Sequence, residues 1–156
     1  MKSLSIFRLA VVAAFAVALS ACSMMGGGQQ LSSGLSARMD APGASLSRVE
    51  ALFLLNDYRR SQGATDLRGD AVLDSTAQSL ATAYAKSGTP PAAPKGMRAI
   101  RFSAGYATFA ETFSGWRNVP ADAAVLADMG AKRAGLGVAY EANSTNGVHW
   151  VLLLAE

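Results

Sequence analysis

The chain has 156 residues, 14 of them basic and 11 acidic, for a formal net charge of +3, and 51% of it is hydrophobic. That is enough for one domain with an ordinary core, and the absence of any lysine or arginine run excludes a nucleic-acid footprint. A single cysteine excludes an internal disulfide, so an exported domain of this sequence has to be held by its core alone.

Lys2 and Arg8 precede an apolar run of 11 residues, Leu9 to Leu19, and then come Ser20, Ala21 and Cys22. A basic start, a short apolar stretch and a small-residue exit predict a secretory signal. Spanning a bilayer takes roughly 20 apolar residues, so the run is too short for a permanent transmembrane helix. The segment Leu19-Ser20-Ala21-Cys22 resembles the bacterial lipobox. This implies that residues 1–21 are removed and that Cys22 becomes an acylated N-terminus whose partner is the membrane. Each buried methylene of such an anchor adds about 0.8 kcal/mol, and more than one chain makes it stable. Loss of Lys2 and Arg8 leaves 12 basic against 11 acidic residues, a nearly neutral mature chain. Ser23 stands where enterobacterial lipoproteins held in the inner membrane carry Asp, which favours the outer membrane.

Residues 22–44 hold Gly26-Gly27-Gly28, Gln29-Gln30, several serines, Pro42 and Gly43, and read as a lipidated flexible linker. The folded domain is expected over 45–156. Ser45 is a good N-cap for a helix that should stop near Gly63, with Leu46, Val49, Leu52, Phe53, Leu55 and Tyr58 on its apolar face. Asp70 or Leu67 opens a second helix carrying Val72, Leu73, Thr76, Ala77, Leu80, Ala81 and Tyr84, closed by Lys86 and Gly88. Pro90, Pro91 and Pro94 then forbid regular structure. Ile100 to Ser103 is a short strand or an irregular run. Thr108 to Trp116 reads as a helix with Phe109, Phe113 and Trp116 on one face. Pro120 opens another, running to Met129 and closing at Gly130. Arg133–Tyr140 and Val148–Leu154 alternate as strands around the turn residues Asn143 to Gly147, which makes a C-terminal β-hairpin and an α+β layered domain.

The order of these landmarks resembles the CAP (cysteine-rich secretory, SCP-like) superfamily. The residues that carry the likeness are Leu55-Asn56-Asp57-Tyr58-Arg59, Gly63, Leu67, Ala77-Gln78-Ser79-Leu80-Ala81, Gly115-Trp116-Arg117-Asn118-Val119-Pro120, Gly135-Leu136-Gly137-Val138-Ala139-Tyr140 and the closing strand from His149. The resemblance implies an α-β-α sandwich with a small antiparallel sheet. It also implies a cleft where many members hold two His and two acidic residues around a divalent metal. Here the first His position falls in Ser87-Gly88-Thr89-Pro90, the Glu position is Ile100, its neighbour is Arg101, and the second His is Asp122. The resemblance therefore implies a degenerate tetrad, no metal and no cofactor.

Glu111, Trp116, Asn118 and Asp122 remain as candidate cleft residues. Paired carboxylates do acid and base work when their environments separate their pKa values, so Glu111 and Asp122 could serve a hydrolase acting on envelope peptides or wall polymers. Asp122 equally suits a helix start, and Trp116 suits the core. A Ser-His-Asp triad would have to use His149, the only histidine, and no Gly-x-Ser-x-Gly context accompanies it. The leading expectation is a non-enzymatic envelope lipoprotein that binds a lipid, a peptide or an envelope protein. The hydrolase and a structural envelope component are the alternatives.

Overall fold

In the computed structural model, residues 32–156 are described; the expected signal and Cys22 lie outside them. Among the described residues, five helices and four strands follow one another: α1 (Ser33–Ser36), α2 (Arg48–Ser61), β1 (Arg68–Gly69), α3 (Ala71–Ser87), β2 (Ala99–Ala104), α4 (Phe109–Asn118), α5 (Pro120–Leu126), β3 (Arg133–Tyr140) and β4 (Val148–Ala155). The strands form one sheet in the order β1-β3-β4-β2. β3 and β4 are the antiparallel hairpin, with Leu136 opposite Leu152, and β2 runs antiparallel on the other side of β4. β1 pairs parallel with β3, so the sheet is mixed rather than wholly antiparallel.

Every residue of β4 is buried, because helices cover both faces of the central strand. Val148, Trp150, Leu152 and Leu154 face a core made with α1, α2, α4 and α5, where Leu55, Phe109, Phe113, Trp116 and Leu126 gather. Val151 and Leu153 face Ala77 and Ala81 of α3. The result is the α-β-α sandwich implied by the sequence.

Local signals account for most of the elements. The Asp70 carboxylate accepts from the backbone N–H groups of Val72 and Leu73 at 2.9 and 3.1 Å, and Gly88 closes α3 in the left-handed region at φ 70°. Thr108 and Glu111 form a reciprocal capping box at the start of α4. Pro120 occupies the first position of α5. α5 ends at Leu126 rather than near Met129, and carbonyls at and beyond that end are taken by Arg59.

Two further expectations change. The segment expected as a linker is ordered from Ser33 on: Leu35 and Met39 are buried in the larger core, and the Met39 N–H donates to the Ala107 carbonyl at 2.7 Å. Two well-spaced apolar side chains suffice to dock this Gly- and Ser-rich stretch. The helix expected from Ser45 begins at Arg48 with Ser47 as its N-cap, and its buried face is rotated from the one the apolar pattern predicts. Val49 and Phe53 are 81% and 65% exposed, while Asn56 and Arg59 are buried beside Ala51 and Leu55. Polar partners turn the helix. Asn56 exchanges two hydrogen bonds with the Leu67 backbone, at 3.0 and 2.8 Å. Arg59 donates to the carbonyls of Thr65, Leu126, Asp128 and Ala131 at 2.7–3.3 Å.

Candidate functional site

The four candidate cleft residues spread along α4 and α5. Glu111, in the first turn of α4, accepts from the Thr108 N–H and hydroxyl at 3.0 Å each, and is exposed. Trp116 is buried edge-on against Phe109, and its indole N–H donates to the Phe102 carbonyl at 3.3 Å. Asn118 is the exposed last residue of α4. Asp122 lies in the first turn of α5. The seven residues of α4 that follow Glu111, about 10 Å of helix, lie between it and the start of α5.

Asp122 has a partner that bears on the metal many members of the family hold. Arg101 Nε lies 2.8 Å from Asp122 Oδ1. The same guanidinium donates to the Ile100 and Ala121 carbonyls at 2.7 and 3.3 Å. Its buried Nε has no acceptor aligned for a hydrogen bond, so the Asp122 contact is one of charge. These residues do not fit a divalent cation. A metal at Asp122 would have to displace a positive charge already fixed there, and among the described residues no three His, Cys, Asp or Glu side chains come together.

A concave site forms elsewhere. The end of α3, from Ala85 to Gly88, and the β3–β4 loop, with Glu141 and Asn143 to Asn146, enclose a groove of about 440 Å³. That volume is within the range of small-molecule sites. One wall contains Ser87 and Gly88, where the resemblance places the missing first His. Lys86 is the cation of the lining and Glu141 its anion.

His149 lies beneath this groove. It follows the loop as the second residue of β4 and points to the α3 face, fully buried. Its ring meets Tyr84 of α3 edge-on, with centroids 4.6 Å apart. The Gly147 carbonyl oxygen is 3.3 Å from Nδ1, and Ser144 Oγ is 3.3 Å from Nε2. A carbonyl can only accept, so Nδ1 carries the proton and Nε2 accepts from the Ser144 hydroxyl. Burial pushes the His149 pKa below its usual value, which keeps the ring neutral, and the Gly147 hydrogen bond opposes this only in part.

Sequence reasoning weighed His149, favoured a structural or surface role for it, and did not reach its partner. Ser144 is hidden among turn residues, and only the curl of the loop, held by the Glu141 N–H to Gly147 carbonyl bond at 2.9 Å, returns its hydroxyl to the ring.

Two other perturbed carboxylates serve the fold. Asp70 is held below the usual range by the Leu73 N–H and then by Arg133, and Asp128 by Arg98 and then by the Gly130 N–H. Both tie the edges of the sheet to neighbouring segments. No described helix is long and apolar enough to cross a membrane.

Comparison with known proteins agrees with this architecture. The fold is similar to that of MpPR-1i, with a TM-score of 0.57 and 19% identity, covering 69% of this chain and 88% of that one. It is similar to an outer surface protein from Borrelia burgdorferi, with a TM-score of 0.57 and 14% identity over 70% of this chain and 90% of that one. An extracellular protein containing a SCP domain from Bacillus anthracis gives a TM-score of 0.56 at 12% identity, covering 69% of this chain and 40% of that one. At such identities the likeness is one of fold. No curated protein matches. The model of the cysteine-rich secretory protein family, CAP, matches residues 52–154. The chain therefore belongs to the CAP family.

Proposed function

We propose that this protein is a cell-envelope lipoprotein, anchored through Cys22, whose CAP domain binds a small polar ligand rather than a catalytic metal. The observation that carries the binding reading is the Arg101 guanidinium set against Asp122, at the position where the family resemblance puts a metal-binding His. A built-in cation takes the place of an imported one. A concave surface that can take such a ligand is the polar groove between the end of α3 and the β3–β4 loop. The anchor reading rests on Leu19-Ser20-Ala21-Cys22. The outer membrane is favoured by Ser23, and the surface or extracellular character of two structural relatives is consistent with a place in the envelope.

Titration calorimetry with zinc tests the first half. The expected outcome is no stoichiometric binding at micromolar metal; sub-micromolar binding that disappears in Asp122→Ala would overturn the reading. Metabolic labelling with a fatty acid tests the second. Label is expected in the wild-type chain and absent from Cys22→Ser, and label retained in that variant would exclude Cys22 as the anchor.

A further inference from the structure

The groove contains a feature that simple binding does not call for. A neutral histidine accepts a hydrogen bond from a serine hydroxyl, and its other nitrogen is fixed by an acceptor. That is the arrangement of a nucleophile, a general base and an orienting group, with the Gly147 carbonyl in the place of a carboxylate. We propose that Ser144 is a nucleophile, activated by His149, that takes the acyl group from a small carboxylic ester seated in the groove. The proposal deepens the reading of the groove as the ligand seat and rests on it.

Several observations converge on it. Ser144 is half-buried and lines the groove, and its hydroxyl is within reach of the buried ring. The ring cannot turn freely, because Tyr84 meets it edge-on and Gly147 holds Nδ1. The separation of 3.3 Å from Ser144 Oγ to His149 Nε2 is loose for a hydrogen bond but usual for such a pair in an empty site. Lys86, the cation of the lining, gives the groove a positive charge on the wall opposite the loop. The many hydrogen-bonding side chains of the lining, Ser87, Asn143, Thr145 and Asn146 among them, suit an ester that carries polar groups rather than a long hydrocarbon chain.

The chemistry closes on itself with water as the second substrate. As Ser144 Oγ bonds to the ester carbonyl carbon, its proton passes to His149 Nε2. Collapse of the tetrahedral intermediate breaks the bond to the leaving alcohol, which takes that proton. Water then attacks the acyl-serine and gives its proton to Nε2. The proton returns to Ser144 Oγ as the carboxylic acid departs.

The test uses the full chain in detergent, a fluorophosphonate probe and p-nitrophenyl butyrate. One adduct is expected, mapping to Ser144, together with slow ester turnover. Both rates should rise with pH as His149 loses its proton. Tyr84 is the titratable side chain packed on the ring, and Lys86 and Glu141 line the groove outside it. Ser144→Ala should abolish labelling, and His149→Gln should slow it about 100-fold, the typical worth of a general base. Because His149 is a core residue, Ser144→Cys gives an independent reading: the introduced thiol should react with iodoacetamide at a lower pH than an ordinary cysteine. No adduct on Ser144 in the folded chain, labelling unchanged in a folded His149→Gln variant, or a thiol of ordinary reactivity would each overturn the proposal. Ser87→Trp, on the opposite wall, separates the two readings. Labelling that persists there would remove the groove as the seat while leaving the Ser144–His149 pair; absence of labelling in the wild-type chain would remove the pair while leaving the groove.

Discussion

The Arg59 guanidinium is fully buried, and every hydrogen bond it makes goes to a backbone carbonyl: Thr65 on the loop after α2, Leu126 at the end of α5, and Asp128 and Ala131 in the turn before β3. One side chain thus joins three segments and satisfies carbonyls that the end of α5 leaves open. Replacing it with Met of similar length would strand several of those acceptors, each a penalty of about 1–3 kcal/mol when buried, though some will recover water. Urea denaturation of Arg59→Met should show a loss of about 3 kcal/mol, whereas Arg60→Met, which breaks exposed pairs with Asp57 and Asp66 and a contact with the Phe53 ring, should leave the denaturation midpoint nearly unchanged. The role of Arg59 was not legible in the sequence. Arg59 and Asn56 sit on a helix whose apolar stripe suggests that they face solvent, and their partners lie as far as 72 residues away. The same blindness explains the rotated face of α2: Val49 and Phe53 look like core residues until the buried polar pair is seen to set the helix orientation.

At the scale of elements the sequence was more informative, because helices and strands announce themselves through short-range signals. Asp70 and Gly88 bracket α3, Thr108 opens α4, Pro120 opens α5, the alternation through β3 is regular, and β4 is a continuous apolar run from Trp150. What alternation alone did not show is why one face of β3 bears glycine. A methyl group on Gly135 would overlap the backbone of Leu73 and Asp74, and one on Gly137 the backbone of Ala77 and Gln78. α3 therefore lies directly on the strand, and side chains of the helix reach the strand backbone: Asp74 Oδ1 accepts from the Leu136 N–H at 2.8 Å, and Gln78 donates to the Val138 carbonyl at 2.7 Å. Since the obstructing atoms are backbone, no rotamer change can make room. Gly137→Ala should cost about 1–3 kcal/mol, measured as a fall in the midpoint of chemical denaturation, although alanine is ordinarily better tolerated than glycine in a strand.

At the scale of the whole molecule, the folded unit is longer than composition suggested. Leu35 and Met39 are nearly inaccessible in the larger core, and α1 and its approach are held by the Met39 to Ala107 backbone bond. Fully burying each such side chain is worth about 1.5–3 kcal/mol, less the entropy of ordering the residues between them. A chain beginning at Ser45 should therefore melt below one beginning at Ser32, with a difference of about 2 kcal/mol in denaturant titration. Equal stability would show that residues 32–44 contribute nothing. The composition of this stretch misled because docking needs only two apolar side chains at the right places, and a glycine count does not register them.

The close seating of α3 on β3 also has a mechanical consequence. The groove is a vise with one fixed jaw. The jaw formed by Ala85 to Gly88 is the end of a helix locked to the sheet at Gly135 and Gly137, so it cannot slide or roll without opening the core. The other jaw is the β3–β4 loop, whose hold on the molecule is a few turn hydrogen bonds and the contact of Ser144 with His149. Any change in the width of the groove has to come from the loop, and the serine that would meet a substrate rides on the jaw that moves.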